Sequence, residues 1–392
     1  MASKGIAESL RCSQVDEFWV GKVFERAQAL EAGGADLIHF EVGRTDFDTP
    51  VHIKEAAKAA LDAGIVHYTP DEGSMELREA IAAYLERSSG VRYDPKDEIL
   101  VTVGAGEALF LSMAAYLGDG DTVLAPTPGY PTYWQLPPLF GARANPFICP
   151  AEKAFQPDLD SLDPAGARMM LINSPGNPTG AVWSAESLAG LRDYAVQHDL
   201  VVVSDETYAG IVFNGEHISP AKLPGMRERT LTLGSFSKTF SMTGWRVGFA
   251  AGPRDLLWPV SRLHQHNTVC APSFVQVGAV SALNGPQEPV AAMGRELQER
   301  RDALLAELHD VPGIECLSPA GTFYTFPDIS AYGMPSADFA VFLVEKAGVV
   351  TVPGDLFGSQ GEGHVRMSFA GSLHDIRRGG GRIRAAVKEL TA

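Results

Sequence analysis

A lysine can attack a carbonyl carbon only when its amine is neutral and held away from bulk water, and one lysine of this chain stands in such a setting. Lys238 lies in Ser235–Phe236–Ser237–Lys238–Thr239–Phe240, directly after the apolar run Leu231–Leu233. Lys54, Lys58, Lys96 and Lys388 lie among charged or polar neighbours. A lysine held there would lose hydration, which would favour the amine form that condenses to a Schiff base. Taken alone, the segment equally suits a surface lysine whose stem lies along apolar neighbours. Ser235-x-x-Lys238 also has the spacing of the acyl-serine enzymes, but the KTG and SDN sequences that accompany that chemistry do not occur.

Other polar residues recur where apolar runs end. Asp205 opens Asp205–Glu206–Thr207–Tyr208 after Leu200–Val203. A carboxylate there faces the crevice in which open α/β sheets bind ligands, or simply caps a helix. Ser174–Pro175–Gly176–Asn177–Pro178–Thr179–Gly180 is a stiff loop presenting one amide, or an ordinary turn. Gly104–Ala105–Gly106, between a strand and a helix, offers free N–H groups to an anion. It is no dinucleotide fingerprint, because Leu109 stands at the third glycine position. Arg246 can add a full charge to that anion, and Arg366, in Gly363–His364–Val365–Arg366–Met367–Ser368, can grip a carboxylate in a bidentate fork. Singly, each arginine is more often a surface ion pair. Jointly these residues offer an amine nucleophile, an acid partner for a ring nitrogen, an anchored phosphate and a carboxylate clamp.

The elements that must position them alternate. Apolar runs at Glu98–Val103, Asp121–Ala125, Met169–Asn173, Leu200–Ser204, Thr230–Leu233 and Val247–Ala251 read as strands. Helical spacing separates them, as at Glu107–Leu117 and Ser184–Gln197, and Ser74 is an N-cap for the stripe Leu77, Ile81, Leu85. This predicts an α/β fold whose mainly parallel sheet is covered on both faces. Helices over Ser273–Asn284 and Glu288–Leu308 lead to a smaller α+β region with strands near Phe323–Phe326, Val349–Val352 and His364–Phe369. Ahead of the sheet, Val15–Leu30 reads as a helix and Leu37–Val42 as a strand. The division expected is an N-terminal arm joined to the small domain over 1–48, a large domain over 49–284 and a small domain over 285–392.

Composition narrows the partners. The 392 residues are 45% hydrophobic and 20% charged, an ordinary globular balance. Lys plus Arg number 32 against 48 Asp plus Glu, a net charge of −16, which repels nucleic-acid phosphates and anionic lipid heads. Arg377, Arg378, Arg382 and Arg384 near the C-terminus read as a solvated helix face. Cys12, Cys149, Cys270 and Cys316 have no metal-ligand or disulfide spacing, so no metal is expected. With no apolar run of membrane-spanning length and no apolar leader, the expected location is cytoplasmic.

With these residues in order, the sequence resembles the pyridoxal-phosphate-dependent aminotransferases of class I/II, the fold type I, aspartate aminotransferase-like superfamily. The resemblance runs from Gly43-x-x-Asp46-Phe47-x-Thr49-Pro50 to Gly363–Ser368. It takes in Tyr68–Thr69 with Gly73 and Leu77–Arg78, Pro128–Gly129–Tyr130, Asn177–Pro178–Thr179–Gly180, Asp205-x-x-Tyr208, Ser235-x-Ser237-Lys238, and Pro353–Gly354 with Phe357–Gly358. It implies a seven-stranded sheet in the large domain, a homodimer with shared active sites, and an amino acid and a 2-oxo acid as substrates.

The resemblance also implies roles. Lys238 carries the cofactor covalently and moves the proton at the substrate Cα. Asp205 keeps the pyridine nitrogen protonated. Tyr208 and Asn177 hydrogen-bond the ring's phenolic oxygen, and Tyr130 stacks on the ring. Ala105, Gly106, Ser235 and Arg246 bind the phosphate, with Tyr68 reaching the phosphate of the neighbouring subunit. Arg366, with Asn177 and the backbone at Gly43, takes the substrate α-carboxylate. Arg44–Thr45 departs from the family, where a non-basic residue followed by proline is common, and leaves the substrate side chain open. An elimination or cyclising enzyme resembling aminocyclopropane-carboxylate synthase, acting on S-adenosylmethionine, shares the same motifs. A regulator using the fold as an effector-binding domain would need a DNA-binding module that the first 45 residues do not provide.

Overall fold

The computed structural model describes residues 9–15 and 22–391. The large sheet contains β1 (Ile99–Thr102), β2 (Thr122–Thr127), β3 (Arg143–Ile148), β4 (Ala167–Asn173), β5 (Val201–Asp205), β6 (Thr230–Ser235) and β7 (Gly248–Ala251), in the order β1-β7-β6-β5-β4-β2-β3. β7 is antiparallel to both its neighbours, and every other pairing is parallel. Nearly continuous apolar side chains leave β1, β2 and β4 to β7 buried, as a sheet covered on both faces requires.

β3 has no counterpart among the runs read from the sequence. It is an edge strand, Arg-Ala-Asn-Pro-Phe-Ile, with only Phe147 fully buried. Its polar residues and its proline, tolerated at an edge, hide the pattern. The helices fall closer to expectation. Ser74 Oγ accepts the Leu77 N–H at 3.3 Å and caps Met75–Ser89, while Ser184 caps Ala185–Gln197 at 3.1 Å. The helix expected from Glu107 begins three residues earlier, as Gly104–Tyr116. Of the helix expected over 15–30, Val15 is extended, residues 16–21 lie outside the described residues, and the helix runs Lys22–Ala32.

A second core gathers Val23, Ala27, Ile38 and Phe40 with Leu304, Phe339, Val349, Met367 and Ile383. Ile38–His39 pairs in parallel with Val349–Val350, so the chain preceding the large sheet packs with the residues following it. Thr351 interrupts the strand expected over 349–352, because Val352–Pro353 turns away to pair with Val365–Ser368. The arginines of the last helix, Leu373–Thr391, correct the expectation of a solvated face. Arg378 and Arg382 both bind Asp36, Arg384 binds Glu307 at 3.1 Å, and only Arg377 is exposed. The described residues include no helix long and apolar enough to cross a membrane.

Candidate active site

Parallel strands expose their last residues at one edge of the sheet, and here three of those residues are polar. Asn173 ends β4, Asp205 ends β5 and Ser235 ends β6. All three line a cavity of about 600 Å³ between the two cores. The same cavity is lined by Gly43, Arg44, Ala105, Gly106, Tyr130, Asn177, Tyr208, Lys238, Arg246 and Arg366. Every site residue expected from the sequence is therefore gathered there except Tyr68, which is 84% exposed on the surface.

Lys238 projects from the short helix Phe236–Thr239, which Ser235 caps by accepting the Ser237 N–H at 3.1 Å. Its Nζ donates to the Gly43 carbonyl and lies 5.9 Å and 5.7 Å from the ring centres of Tyr208 and Phe323. Asp205 is fixed on three sides. Tyr133 Oη donates to its Oδ2 at 2.8 Å, the Thr207 N–H to its Oδ1 at 3.1 Å, and Asn173 Nδ2 to its main-chain oxygen at 3.1 Å. Burial first, and then the Asp205 charge, push the Tyr133 hydroxyl well above its usual range, so it remains a donor. Burial and the neighbouring Tyr324 do the same to Tyr208, whose Oη is 3.0 Å from that of Tyr324.

Elsewhere on the cavity wall lies the first turn of the helix Gly104–Tyr116, where Ala105 and Gly106 line the cavity. Two glycines make room for what surrounds them. A Cβ on Gly104, whose φ is +78°, would stand 2.7 Å from Arg246 Nη2, and one on Gly248 would stand 2.8 Å from the Ala105 nitrogen. Glu107 secures this turn by accepting the Val103 N–H at 2.6 Å. Its other oxygen meets His264 at 3.1 Å, Asn267 at 3.0 Å and Thr268. Burial pushes the carboxyl up, but these hydrogen bonds outweigh it and hold its pKa at about 2. A helix N-terminus beside an arginine, in a cradle where a side chain would collide, fits a phosphate. A carboxylate held in place by donors fits a protonated ring nitrogen.

Arg366 is 1% exposed and lies across the cavity from Asp205's strand. Its Nη1 donates to Asn177 Oδ1 at 3.0 Å and its Nη2 to the Glu41 carbonyl at 2.7 Å, while its guanidinium sits 4.3 Å from the Tyr324 ring centre. Tyr133, Asn173, Tyr324 and Glu41 were not read from the sequence. Tyr133 follows Tyr130 by three residues in one turn, a spacing that could have suggested it. Asn173, the polar end of the run Met169–Asn173, carries the same strand-end signal as Asp205, whereas Tyr324 and Glu41 carry no local signal.

A family model described as aminotransferase class I and II matches residues 35–383. The aromatic-amino-acid aminotransferase 2 of Thermococcus litoralis is 38% identical over 98% of this chain and 99% of its own length. The aspartate aminotransferase of Pyrococcus abyssi is 38% identical over the same shares. Among solved structures, the aspartate aminotransferase of Rhizobium meliloti superposes with a TM-score of 0.93 at 34% identity, covering 98% of this chain and 99% of that one.

Proposed function

The chain belongs to the class I and II aminotransferase family, whose members use pyridoxal phosphate, and from that premise we propose how its own residues carry out amino transfer. As an aminotransferase it moves an amino group between an amino acid and a 2-oxo acid, not the elimination or cyclisation that shares its motifs. Bound pyridoxal phosphate supplies a sink for the electron pair left when a proton departs from the substrate Cα.

Ala105 and Gly106 N–H, Ser235 Oγ and Arg246 hold the phosphate, and Lys238 Nζ forms the covalent link. Asp205, held in place by Tyr133 and the Thr207 N–H, faces the pyridine nitrogen and keeps a proton on it. Tyr208 and Asn177 serve the phenolic oxygen, and Tyr130 covers the ring. Arg366 grips the substrate α-carboxylate with Asn177 and the backbone at Gly43, aiming the Cα–H bond so that Lys238 Nζ, freed once the substrate amine has taken its place, can accept the proton. Tyr68, exposed in the single chain, reaches the phosphate of a second copy in a homodimer. Arg44, exposed at the cavity wall, meets the substrate side chain. Aspartate and aromatic amino acids are the first donors to try, since the relatives carry those names.

One observation carries this reading: an amine, a held carboxylate, a helix N-terminus and a buried arginine converge on one cavity. Borohydride reduction of the loaded enzyme followed by peptide mapping should label Lys238 alone. Lys238→Ala should lose the label and at least about 10²–10⁴-fold of the turnover, the usual contribution of a positioned proton-transfer group. A label on another lysine overturns the assignment.

A further inference from the structure

Residues 40–49 pass between the two cores and are held from both. The Phe40 carbonyl accepts the Ser368 N–H at 2.6 Å, the Glu41 carbonyl accepts Arg366 Nη2 at 2.7 Å, and the Gly43 carbonyl accepts Lys238 Nζ. From the small-domain side, Arg300 on the helix Glu288–His309 sends Nη1 to Asp46 Oδ1 at 2.6 Å and Nη2 to Asp46 Oδ2 at 3.2 Å. The same Nη1 reaches the Ala370 carbonyl at 2.7 Å, which also takes the Asp46 N–H at 3.3 Å. The guanidinium stacks 4.5 Å from the Phe47 ring centre.

From the large-domain side the anchor is Ser241, three residues beyond Lys238, in the left-handed region at φ +53°. Its Oγ donates to the Phe47 carbonyl at 2.7 Å, so Thr45 Oγ1, 2.8 Å away, must be donor to it. Its carbonyl accepts Thr49 Oγ1 at 2.6 Å, and that hydroxyl in turn receives the Trp245 indole N–H at 3.1 Å.

Asp46, Arg300 and Ser241 do not line the cavity, yet the carbonyls that meet Arg366 and Lys238 are two residues apart on the segment they anchor. That is at most roughly 7 Å of chain, so a shift of the segment moves both partners together. We propose that residues 40–49 set the spacing between Lys238 and Arg366, and that Asp46, Arg300 and Ser241 are positioning residues for amino transfer. This rests on the roles given above to Lys238 and Arg366. The bidentate, charge-assisted pair and the serine grip the same stretch, 45–49, from the two sides, next to the carbonyls at 41 and 43. A loose segment therefore costs substrate binding through Arg366 and proton transfer through Lys238 at once.

The test is amide hydrogen exchange across 40–47 in the holoenzyme, measured beside kcat and KM. Asp46→Asn keeps the shape and removes the charge. It should speed exchange over 40–47 and lower kcat/KM roughly tenfold, the scale of one charge-assisted hydrogen bond, divided between a fall in kcat and a rise in KM. Ser241→Ala should do the same from the opposite side. Asp46→Asn and Arg300→Lys combined should cost no more than the worse single change, because both break one link. Glu296→Gln removes a carboxylate that meets the same arginine at 2.6 Å, away from the segment, and should leave exchange and kinetics as in wild type. Should Arg300→Lys fail to fold, Asp46→Asn decides alone, its carboxylate being half exposed. Wild-type exchange in Asp46→Asn, or faster exchange with unchanged kcat and KM, overturns the proposal. A borohydride label away from Lys238 would instead unseat the site assignment and leave the exchange result standing.

Discussion

The large-domain wall of the cavity is made where strands stop: Asn173, Asp205 and Ser235 are each the last residue of a parallel strand, and Lys238 follows three residues later. The small-domain wall is made where chain segments meet. Arg366 lies inside the strand Val365–Ser368, and its partners Asn177 and Glu41 are 189 and 325 residues away in sequence. Strand ends give the first set of side chains its common direction, with Tyr133 and Asn173 holding Asp205, so a change there should act mainly on one contact. The second set is aimed by long-range contacts, and a change there should be felt in several.

The largest effect should come from Arg366→Ala. Its guanidinium is buried against Tyr324 and Phe357 as well as hydrogen-bonded. Losing one partner of a buried charge pair predicts a fall of about 2–5 kcal/mol in kcat/KM, with kcat falling and KM rising together. Cofactor occupancy, followed by absorbance, should stay near wild type, because Arg246 and not Arg366 is the arginine proposed for the phosphate. Lost occupancy with normal residual turnover would mean that the two arginines have exchanged roles.

Tyr133→Phe probes the opposite wall with a smaller change. It removes only the 2.8 Å hydrogen bond to Asp205 and leaves the ring packed. A hydrogen bond to a charged group contributes about 1.5–3 kcal/mol, so kcat should fall by roughly that amount with KM little altered. A matching rise in KM would break the distinction between the walls.

The same distinction governs what the sequence could reveal. Lys238, Asp205, Asn177 and the Gly104–Ala105–Gly106 turn are legible because each sits where an apolar run gives way to polar or glycine-rich chain, a local signal tied to the strand end. Tyr324 and Glu41 reach the cavity only through tertiary pairing, and Asp46 is joined to Arg300 across 254 residues. Arg143–Ile148 escapes for a related reason: at the sheet edge it need not be apolar on both faces. The seventh strand came from the family resemblance, while six came from periodicity.

Acid should loosen the large-domain wall first. Glu107, in the first turn of the helix Gly104–Tyr116, has its pKa lowered from 4.5 to about 2. A carboxyl with a depressed folded pKa contributes stability that is fully present above its ordinary value and is lost as pH falls through the folded one. The contribution, on the order of 2 kcal/mol for a shift of this kind, should therefore disappear between about pH 4.5 and 2. Glu107→Gln should melt lower at neutral pH and show a flatter decline in that acid window. Parallel wild-type and variant curves would remove Glu107 from the account.

Alkali should act on the other wall, and more weakly. His39 lies between Glu41, at 2.8 Å, and Glu31 on the helix Lys22–Ala32, at 2.9 Å, and Glu41 lines the cavity next to Val42 and Gly43. The hydrogen bond to Glu41 raises its pKa to about 9 against the opposing effect of burial, with the Glu41 charge and Glu31 adding to the rise. A raised folded pKa has the opposite sign to that of Glu107. The stability is fully present below the ordinary 6.5 and is lost as pH climbs through about 9. Because the ring is more than a third exposed, water screens the pair and the effect should be the smallest of the series. His39→Gln keeps a hydrogen-bond donor near Glu41 but cannot take up the proton, so its melting temperature should change less than that of wild type between pH 6.5 and 9. Glu107→Gln should leave that alkaline limb untouched, and His39→Gln should leave the acid limb untouched. If either variant flattened both limbs, the two walls would titrate as one unit, and the contrast between strand-end geometry and tertiary pairing would not extend to stability.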